Sequence, residues 1–243
     1  MTHSTRTDIS LSNGHGMRAF LALPDGTPPD RGWPAMLVIH DISGFREDIQ
    51  RIALRFADAG IAALAPALFD GAGPPGICVF RTLRDCQRGE GAAFERIEAA
   101  QKHLAGTESI DPERIGITGF CLGGGFAIFH AARGDVRVCA PYYGETPKEA
   151  DQLANVCPVV AGFGELDESF AKQGRRLEGH LEALGIPHDV KIYPGVGHSY
   201  MNDHGSGPIM SAIMRISPLH AAYDDAAAED SWRRMFEFFA EHL

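Results

Sequence analysis

Short apolar runs alternate along the chain with longer segments whose apolar residues recur every three or four positions. The runs that predict strands are 35–39, 61–65, 115–118, 136–140, 156–162 and 188–193. Helical spacing predicts helices over 47–59, 91–104, 122–133, 170–184 and 229–243. This alternation is typical of βαβ units, so we predict an α/β fold with a mostly parallel sheet and helices on both of its faces.

Three segments outside this pattern have weaker signals. Residues 5–22 predict one or two edge strands with a turn at Asn13-Gly14, and 24–34 is a loop rich in Pro, Gly and Asp. Residues 66–89 begin with several Gly and Pro, which predicts a loop or a small helical excursion over a site. We find no linker in the 243 residues and expect one domain spanning 1–243.

Composition excludes several classes of protein. The net charge is −10 and the basic residues are scattered, which disfavours binding to nucleic acid or to anionic membranes. The first ten residues lack the apolar stretch of a signal peptide, and no apolar run approaches the length of a membrane span. Five cysteines without a CxxC pair favour a reducing cytoplasm and argue against a structural zinc site.

The segment Gly119-Phe120-Cys121-Leu122-Gly123-Gly124 joins a predicted strand to a predicted helix. It has the pattern of a nucleophile elbow, G-x-S-x-G, with Cys in place of Ser. Such a turn is sharp and strained, so small residues are needed two positions before and two after the nucleophile. Cys121 would lie at a helix N-terminus, where the helix dipole favours a thiolate. We therefore predict that Cys121 is a nucleophile rather than a buried core thiol.

A nucleophilic thiol needs a base, and the base needs an orienting acid. In this fold they follow the nucleophile in the order acid, then base, each after a later strand. Asp167 follows one such strand, with Glu165 as the competing carboxylate, and His198 follows the last strand. We favour Asp167 and His198. The competing histidines are His130, His204 and His220.

These residues resemble the motifs of the dienelactone hydrolase family, which are cysteine-dependent enzymes with the α/β-hydrolase fold. The elbow, Gly164-x-x-Asp167 and Gly197-His198-Ser199-Tyr200 match the family in order, and the likeness extends from about Ala35 to the C-terminus. The resemblance implies a triad of Cys121, Asp167 and His198. It also implies an oxyanion hole formed by the backbone N–H groups of Leu122 and Ile42.

The same resemblance shows where this chain departs from the family. The family carries a Glu that contacts the resting thiol and takes part in its activation. The matching residue here is the shorter Asp41, which is expected to modulate the thiol. Two Arg bind the substrate carboxylate in the family. Arg81 or Arg84 matches the first, but 199–204 contains no Arg to match the second. The candidate substrate contacts are Arg81, Arg84 and Tyr200.

We therefore expect a hydrolase that opens an ester or lactone through an acyl-thioester on Cys121, with no cofactor and no metal. Its expected partner is a small-molecule ester or lactone, and the expected state is a monomer or homodimer. Two alternatives stay open. Cys121 fits a thiol-based redox sensor as well. The chain also fits a non-catalytic binding module on a hydrolase fold.

Overall fold

The structure, a computed structural model, describes residues 3–11, 14, 16–70, 75–205 and 214–243, with backbone alone for 75–80. In these ranges the strands are β1 (His3–Ser10), β2 (Gly16–Leu23), β3 (Trp33–Ile39), β4 (Ala62–Pro66), β5 (Ile110–Phe120), β6 (Cys139–Tyr142), β7 (Val159–Gly164) and β8 (His188–Tyr193). The helices are α1 (Glu47–Asp58), α2 (Pro75–Arg88), α3 (Ala92–Ala105), α4 (Leu122–Ala131), α5 (Glu168–Leu184) and α6 (Asp225–His242), with a 3₁₀ turn at Ala150–Leu153.

All eight of these strands join one sheet in the order β1-β2-β4-β3-β5-β6-β7-β8. The pairs β1–β2 and β2–β4 are antiparallel, and every neighbouring pair from β4 to β8 is parallel. The prediction of a mostly parallel sheet is confirmed. The parallel arrangement places the carboxyl ends of β3, β5, β7 and β8 along one edge, where open α/β sheets bind ligands.

The core lies around the middle strands. Residues 35–39 of β3 are fully buried, as expected for a parallel strand that is covered on both faces. Helix α1 packs against β2 and β4, α4 against β5 and β6, and α5 against β7 and β8. An edge-to-face contact between Phe56 and Trp232, with ring centroids 5.2 Å apart, joins α1 to α6.

Several element boundaries differ from the sequence prediction. The strand predicted at 136–140 begins only at Cys139, and the one predicted at 156–162 begins at Val159, after Pro158, which has no N–H to donate. The segment 66–89 contains α2, a helix of 14 residues, so it is more helical than predicted. Residue Asn13 of the predicted Asn13-Gly14 turn lies outside the described residues, as do the side chains of 75–80, including that of Cys78.

Candidate active site

Cys121 lies in the turn between β5 and α4, in a backbone conformation that residues other than glycine rarely adopt. Its φ is 55° and its ψ is −117°. Conformations of this kind cost about 1–3 kcal/mol and persist only where the surrounding structure enforces them. The N–H of Cys121 donates to the carbonyl of Tyr142 at 3.0 Å, which ties the turn to β6. The side chain is half-buried at the N-terminus of α4.

The two glycines that flank the turn have a steric function. A Cβ on Gly119 would overlap the carbonyl oxygen of Gly123. A Cβ on Gly123 would overlap the carbonyl of Ile39 and lie 2.6 Å from that of His40. The first turn of α4 therefore packs directly against the end of β3, and this contact requires residues without side chains.

His198 and Asp167 form a buried hydrogen-bonded pair. Nδ1 of His198 lies 2.6 Å from Oδ2 of Asp167. Their residue surfaces are only 2% and 1% exposed. The other carboxylate oxygen accepts the N–H of Phe170 at 3.3 Å, so Asp167 also caps α5. A carboxylate at Nδ1 holds a proton there, so Nε2 is the nitrogen that can gain or lose a proton.

Nε2 of His198 is buried and makes no hydrogen bond of acceptable geometry within the described part of the protein. The sulfur of Cys121 is nevertheless close enough to influence the ring. Burial is the largest single influence and lowers the pKa, but Asp167 and Cys121 together outweigh it and raise the pKa of His198 to about 9. The Cys121 side chain and the His198 ring therefore influence each other at this edge of the sheet.

Aromatic packing and backbone bonds orient the His198 ring. Its centroid lies 5.1 Å from that of Tyr143 and 4.7 Å from that of Phe170. The backbone N–H of His198 donates to Leu219 at 2.9 Å, and its carbonyl accepts from Ala222 at 3.1 Å. These contacts hold the imidazole against the sheet edge from both sides.

The competing residues of the sequence analysis lie elsewhere. Glu165 is exposed and accepts the N–H of Gly195 at 3.2 Å. His130 is fully buried on α4, where Nε2 lies 2.6 Å from the side-chain oxygen of Gln101. His220 is exposed, with Nδ1 3.0 Å from the carbonyl of Arg215. His204 belongs to a second cluster.

That second cluster links Asp41 to residues that sequence reasoning did not connect with it. Nε2 of His204 lies 3.1 Å from Oδ2 of Asp41. Its Nδ1 lies 3.1 Å from Asp48, at ion-pair distance, although the N–H is not aligned for a hydrogen bond. The two carboxylates raise the pKa of His204 to about 10. Because both carboxylates are buried, this imidazolium is their main source of charge compensation.

The cluster continues to the ring that packs on His198. The side-chain amide of Asn202 donates to Asp48 at 3.1 Å, and the hydroxyl of Tyr143 donates to Asn202 at 2.6 Å. Burial opposes ionisation of Asp48, but His204 and Asn202 outweigh it and lower the pKa of Asp48. In the sequence, the cluster is indicated by nothing more than the polar character of its residues, because they come from distant segments.

The predicted oxyanion donors come from two segments in contact. Leu122 is the first residue of α4, so its N–H has no acceptor within the helix. Ile42 lies in the loop after β3, with a side chain that is 47% exposed. The carboxylate of Asp41 accepts the N–H of Ser43 at 2.8 Å, which closes this loop into a turn.

The predicted substrate contacts differ in their exposure to solvent. Arg81 and Arg84 lie on α2 with exposed side chains. Tyr200 is fully buried, and its hydroxyl lies 2.8 Å from that of Ser231 on α6. Its ring is buried in the protein interior, where substrate has no access to it.

A cavity of about 250 Å³ borders the His198 loop. Its lining residues are Ser199, Asn202, Asp203, His204, Met214, Arg215, Ala221, Ala222 and Tyr223. A larger cavity of about 600 Å³ lies between β1 and α3, where it is lined by none of the predicted triad residues. The smaller cavity is not lined by the predicted triad residues either, but it includes Ser199, which directly follows His198.

Within the described residues, no cluster of His, Cys, Asp or Glu is suited to hold a metal ion. No helix in that part of the chain combines the length and hydropathy needed to cross a membrane.

Known proteins resemble this chain over nearly its whole length. A family model described as "Dienelactone hydrolase family" matches residues 17–243. A Salmonella typhimurium protein named "Putative carboxymethylenebutenolidase" is 28% identical over 248 residues, covering 95% of this chain and 85% of that protein.

Solved structures share the fold. The dienelactone hydrolase from Anabaena variabilis has a TM-score of 0.71 at 20% identity, covering 100% of this chain and 99% of that one. A dienelactone hydrolase-like promiscuous phosphotriesterase from metagenomic libraries has a TM-score of 0.78 at 20% identity, covering 99% and 98%. These similarities confirm the predicted α/β-hydrolase fold.

Proposed function

This chain belongs to the dienelactone hydrolase family, and we propose that within it Cys121, His198 and Asp167 act as a triad that hydrolyses an ester or lactone. Membership makes the protein a carboxylic ester hydrolase, because a lactone is a cyclic ester. One observation carries the proposed mechanism: the buried Asp167–His198 hydrogen bond engages Nδ1, so Nε2 is the ring nitrogen available to exchange a proton with Cys121.

The first half of the reaction acylates the thiol. Because the pKa of His198 is raised to about 9, the ring holds the proton on Nε2 at neutral pH, and the sulfur of Cys121 attacks the carbonyl carbon as a thiolate to form a tetrahedral intermediate. The imidazolium then protonates the leaving oxygen as the C–O bond breaks. A lactone ring opens at this step, whereas an ester releases its alcohol. The product is a thioester on Cys121.

The second half releases the acid. His198 removes a proton from water, and the hydroxide attacks the thioester carbonyl. Collapse of the intermediate breaks the C–S bond, and the sulfur regains its proton. Asp167 stabilises the imidazolium in both halves and keeps its Nδ1 proton in place. The N–H groups of Leu122 and Ile42 bind the oxyanion in each tetrahedral intermediate, an interaction worth about 10²–10³ in rate per donor in other hydrolases.

The charges around Asp41 favour an uncharged substrate. Asp41 and Asp48 share the single positive charge of His204, so this group of three carries a net negative charge. A carboxylate on the substrate would be repelled here. Arg81 and Arg84 are exposed and remain the proposed contacts for any anionic group. We therefore favour a neutral ester or lactone.

Asp41 keeps its proposed influence on the thiol, but it does so as a carboxylate that is already paired with His204 rather than as an unpaired one. One of its oxygens accepts from Ser43, and the other pairs with His204. While that pair is intact, Asp41 is a poor acceptor for the thiol proton, so His198 is the base.

The buried environment of Cys86 disfavours the alternative of a redox sensor. Its thiol donates to the carbonyl of Leu122 at 3.9 Å, which brings a second cysteine near the elbow. Burial, with the nearby charges of Glu145 and Cys121, raises the pKa of Cys86. A resolving cysteine must attack as a thiolate, and Cys86 is held as a thiol.

We also propose that the protein is cytoplasmic and is a monomer or a homodimer. The cysteines whose side chains are described, Cys86, Cys121, Cys139 and Cys157, are all free thiols, which fits a reducing compartment. Gel filtration with light scattering measures the oligomeric state.

The test is a hydrolysis panel of activated aryl esters, neutral lactones and carboxylated dienelactones, with the wild type, Cys121→Ala and Cys157→Ala. We expect Cys121→Ala to lose at least about 10³-fold in kcat/KM with an unchanged melting temperature. Cys157→Ala is the matched control and should remain active. Intact mass after rapid quenching should show an acyl adduct on the wild type and on Cys157→Ala but none on Cys121→Ala. Ester hydrolysis at the wild-type rate by Cys121→Ala would refute the mechanism.

A further inference from the structure

We propose that His40 is a positioning residue that aims the backbone N–H of Ile42 at the carbonyl oxygen of the substrate. It would do so by fixing the peptide group that joins Asp41 to Ile42. This inference rests on the proposed hydrolase function and deepens it, because it identifies what orients one of the two oxyanion donors.

Both ring nitrogens of His40 have a defined partner. The N–H of Leu68 lies 3.1 Å from Nε2, and Nδ1 lies 2.7 Å from the carbonyl oxygen of Asp41. Because Leu68 donates to Nε2, that nitrogen carries no proton. Nδ1 therefore carries it and donates to Asp41. His40 is only 2% exposed, and burial lowers its pKa, which keeps the ring in this neutral tautomer at neutral pH.

The bond to Asp41 controls the direction of the next N–H. The carbonyl of Asp41 and the N–H of Ile42 belong to one planar trans peptide group, so they point in opposite directions. Fixing the carbonyl therefore fixes the N–H. Gly44 also donates to this carbonyl, at 3.1 Å. Hydrogen bonds at the oxygen end of an amide also polarise it and strengthen the donor at the other end.

The peptide group lies beside the elbow. A Cβ on Gly123 would be only 2.6 Å from the carbonyl of His40, so the segment before Ile42 contacts the first turn of α4. Leu122, the source of the other proposed donor, is the preceding residue of that turn. The two donors therefore come from touching segments, and a rotation of the Asp41–Ile42 peptide would separate them.

The other side of the His40 ring is anchored to a rigid part of the fold. The carbonyl of Leu68 accepts from the guanidinium of Arg96 on α3. The edge of the ring packs against Phe69, with centroids 4.7 Å apart and planes at 72°. His40 thus connects the loop after β4 to the loop that carries Ile42.

Two substitutions separate positioning from simple structural support. The amide nitrogen of the His40→Asn side chain takes about the place of Nδ1 and keeps the bond to Asp41, but it loses the acceptor for Leu68. The amide oxygen of the His40→Gln side chain takes about the place of Nε2 and keeps the acceptor for Leu68, but it loses the donor to Asp41. Asn also removes more volume from a buried site, so it should destabilise the protein more.

With p-nitrophenyl acetate, we expect His40→Gln to lower kcat by about 10–100-fold with little change in KM, since a misaligned donor forfeits part of the usual oxyanion contribution. His40→Asn should keep kcat within a few-fold of the wild type despite its lower melting temperature. A purely structural role predicts the reverse, with activity following stability. A larger loss in His40→Asn than in His40→Gln, or a wild-type kcat in His40→Gln, would overturn the proposal.

A second readout does not depend on the reaction. Amide hydrogen exchange in the peptide covering residues 41–44 should be faster in His40→Gln than in the wild type and nearly unchanged in His40→Asn. Equal exchange in His40→Gln and the wild type would overturn the positioning role. If Cys121→Ala keeps hydrolysing the ester, the thiol mechanism fails, and the order of exchange rates still decides the role of His40.

Discussion

Nε2 of His204 lies 3.1 Å from Oδ2 of Asp41, so the carboxylate expected to modulate the thiol has a cation as its partner. The ring pairs with Asp48 on its other side. A buried carboxylate without a partner is costly, and the His204 ring is the charged partner of two of them. Removing this ring should therefore destabilise the fold. The pair also ties the loop after β3 to the segment that follows His198.

His204→Gln should destabilise the protein in a pH-dependent manner. The pKa of His204 is raised from 6.5 to about 10, so its stabilisation is fully present below about pH 6.5 and disappears as the pH rises through about 10. We expect His204→Gln to unfold with a free energy lower than wild type by on the order of 2 kcal/mol near pH 6. That difference should shrink steadily toward pH 10.

Urea denaturation of the two proteins at a series of pH values measures this difference. His103→Gln, at a half-buried position on α3, is the matched control for removing a histidine outside this cluster. A difference between wild type and His204→Gln that stays constant from pH 6 to pH 10 would show that His204 is not charged in the folded protein.

Asp167→Asn should reduce activity severely with little effect on folding. The amide can still cap α5 through its oxygen, but it can present an N–H to Nδ1 and so favour the wrong tautomer of His198. Loss of the negative charge also removes one of the two groups that raise the pKa of that ring. We expect kcat/KM to fall by about 10³–10⁴-fold with an almost unchanged melting temperature.

Glu165→Gln is the control on the same loop. Its amide oxygen can still accept from Gly195, so activity should stay close to that of the wild type. The assignment of the acid would be wrong if Glu165→Gln lost more activity than Asp167→Asn.

The sequence predicted the sheet well where a strand is buried on both faces. The run 35–39 lies within β3 and is fully buried, so hydrophobicity alone identified it. Helix α2 was obscured because Gly and Pro dominate its N-terminal flank, although Pro75 occupies the first helical position, where proline is favoured. The start of β5 at Ile110 was missed because it pairs with Trp33 across a register shift, which no local pattern encodes.

For the site, the sequence predicted the residues whose role is tied to a local turn. The flanking glycines predicted a sharp strand-to-helix turn at Cys121, and the structure has that turn with both glycines in close backbone contact. The pairing of His204 with Asp41 was missed because ion pairs between distant segments depend on tertiary packing. The buried position of Tyr200 was missed for the same reason, since its partner Ser231 lies on α6.

Two Gly→Ala substitutions in helices should have opposite effects on stability. Gly123→Ala places a methyl group against the backbone of Ile39 and His40, neither of which can move without disturbing β3. Gly179→Ala, on the exposed side of α5, meets nothing within 4 Å. Because alanine favours helices, Gly179→Ala should raise the free energy of unfolding by about 0.5–1 kcal/mol. Gly123→Ala should lower it by about 2 kcal/mol or more.

Urea denaturation at neutral pH measures both values, and ester hydrolysis shows what the steric conflict does to the elbow. Gly179→Ala should keep wild-type activity. Gly123→Ala should lose activity even below its melting temperature, because relief of the overlap must shift α4 away from β3 and separate the N–H groups of Leu122 and Ile42. If Gly123→Ala were as stable and as active as Gly179→Ala, the contact between the elbow and β3 would be looser than the structure shows, and the paired oxyanion donors would lose their physical basis.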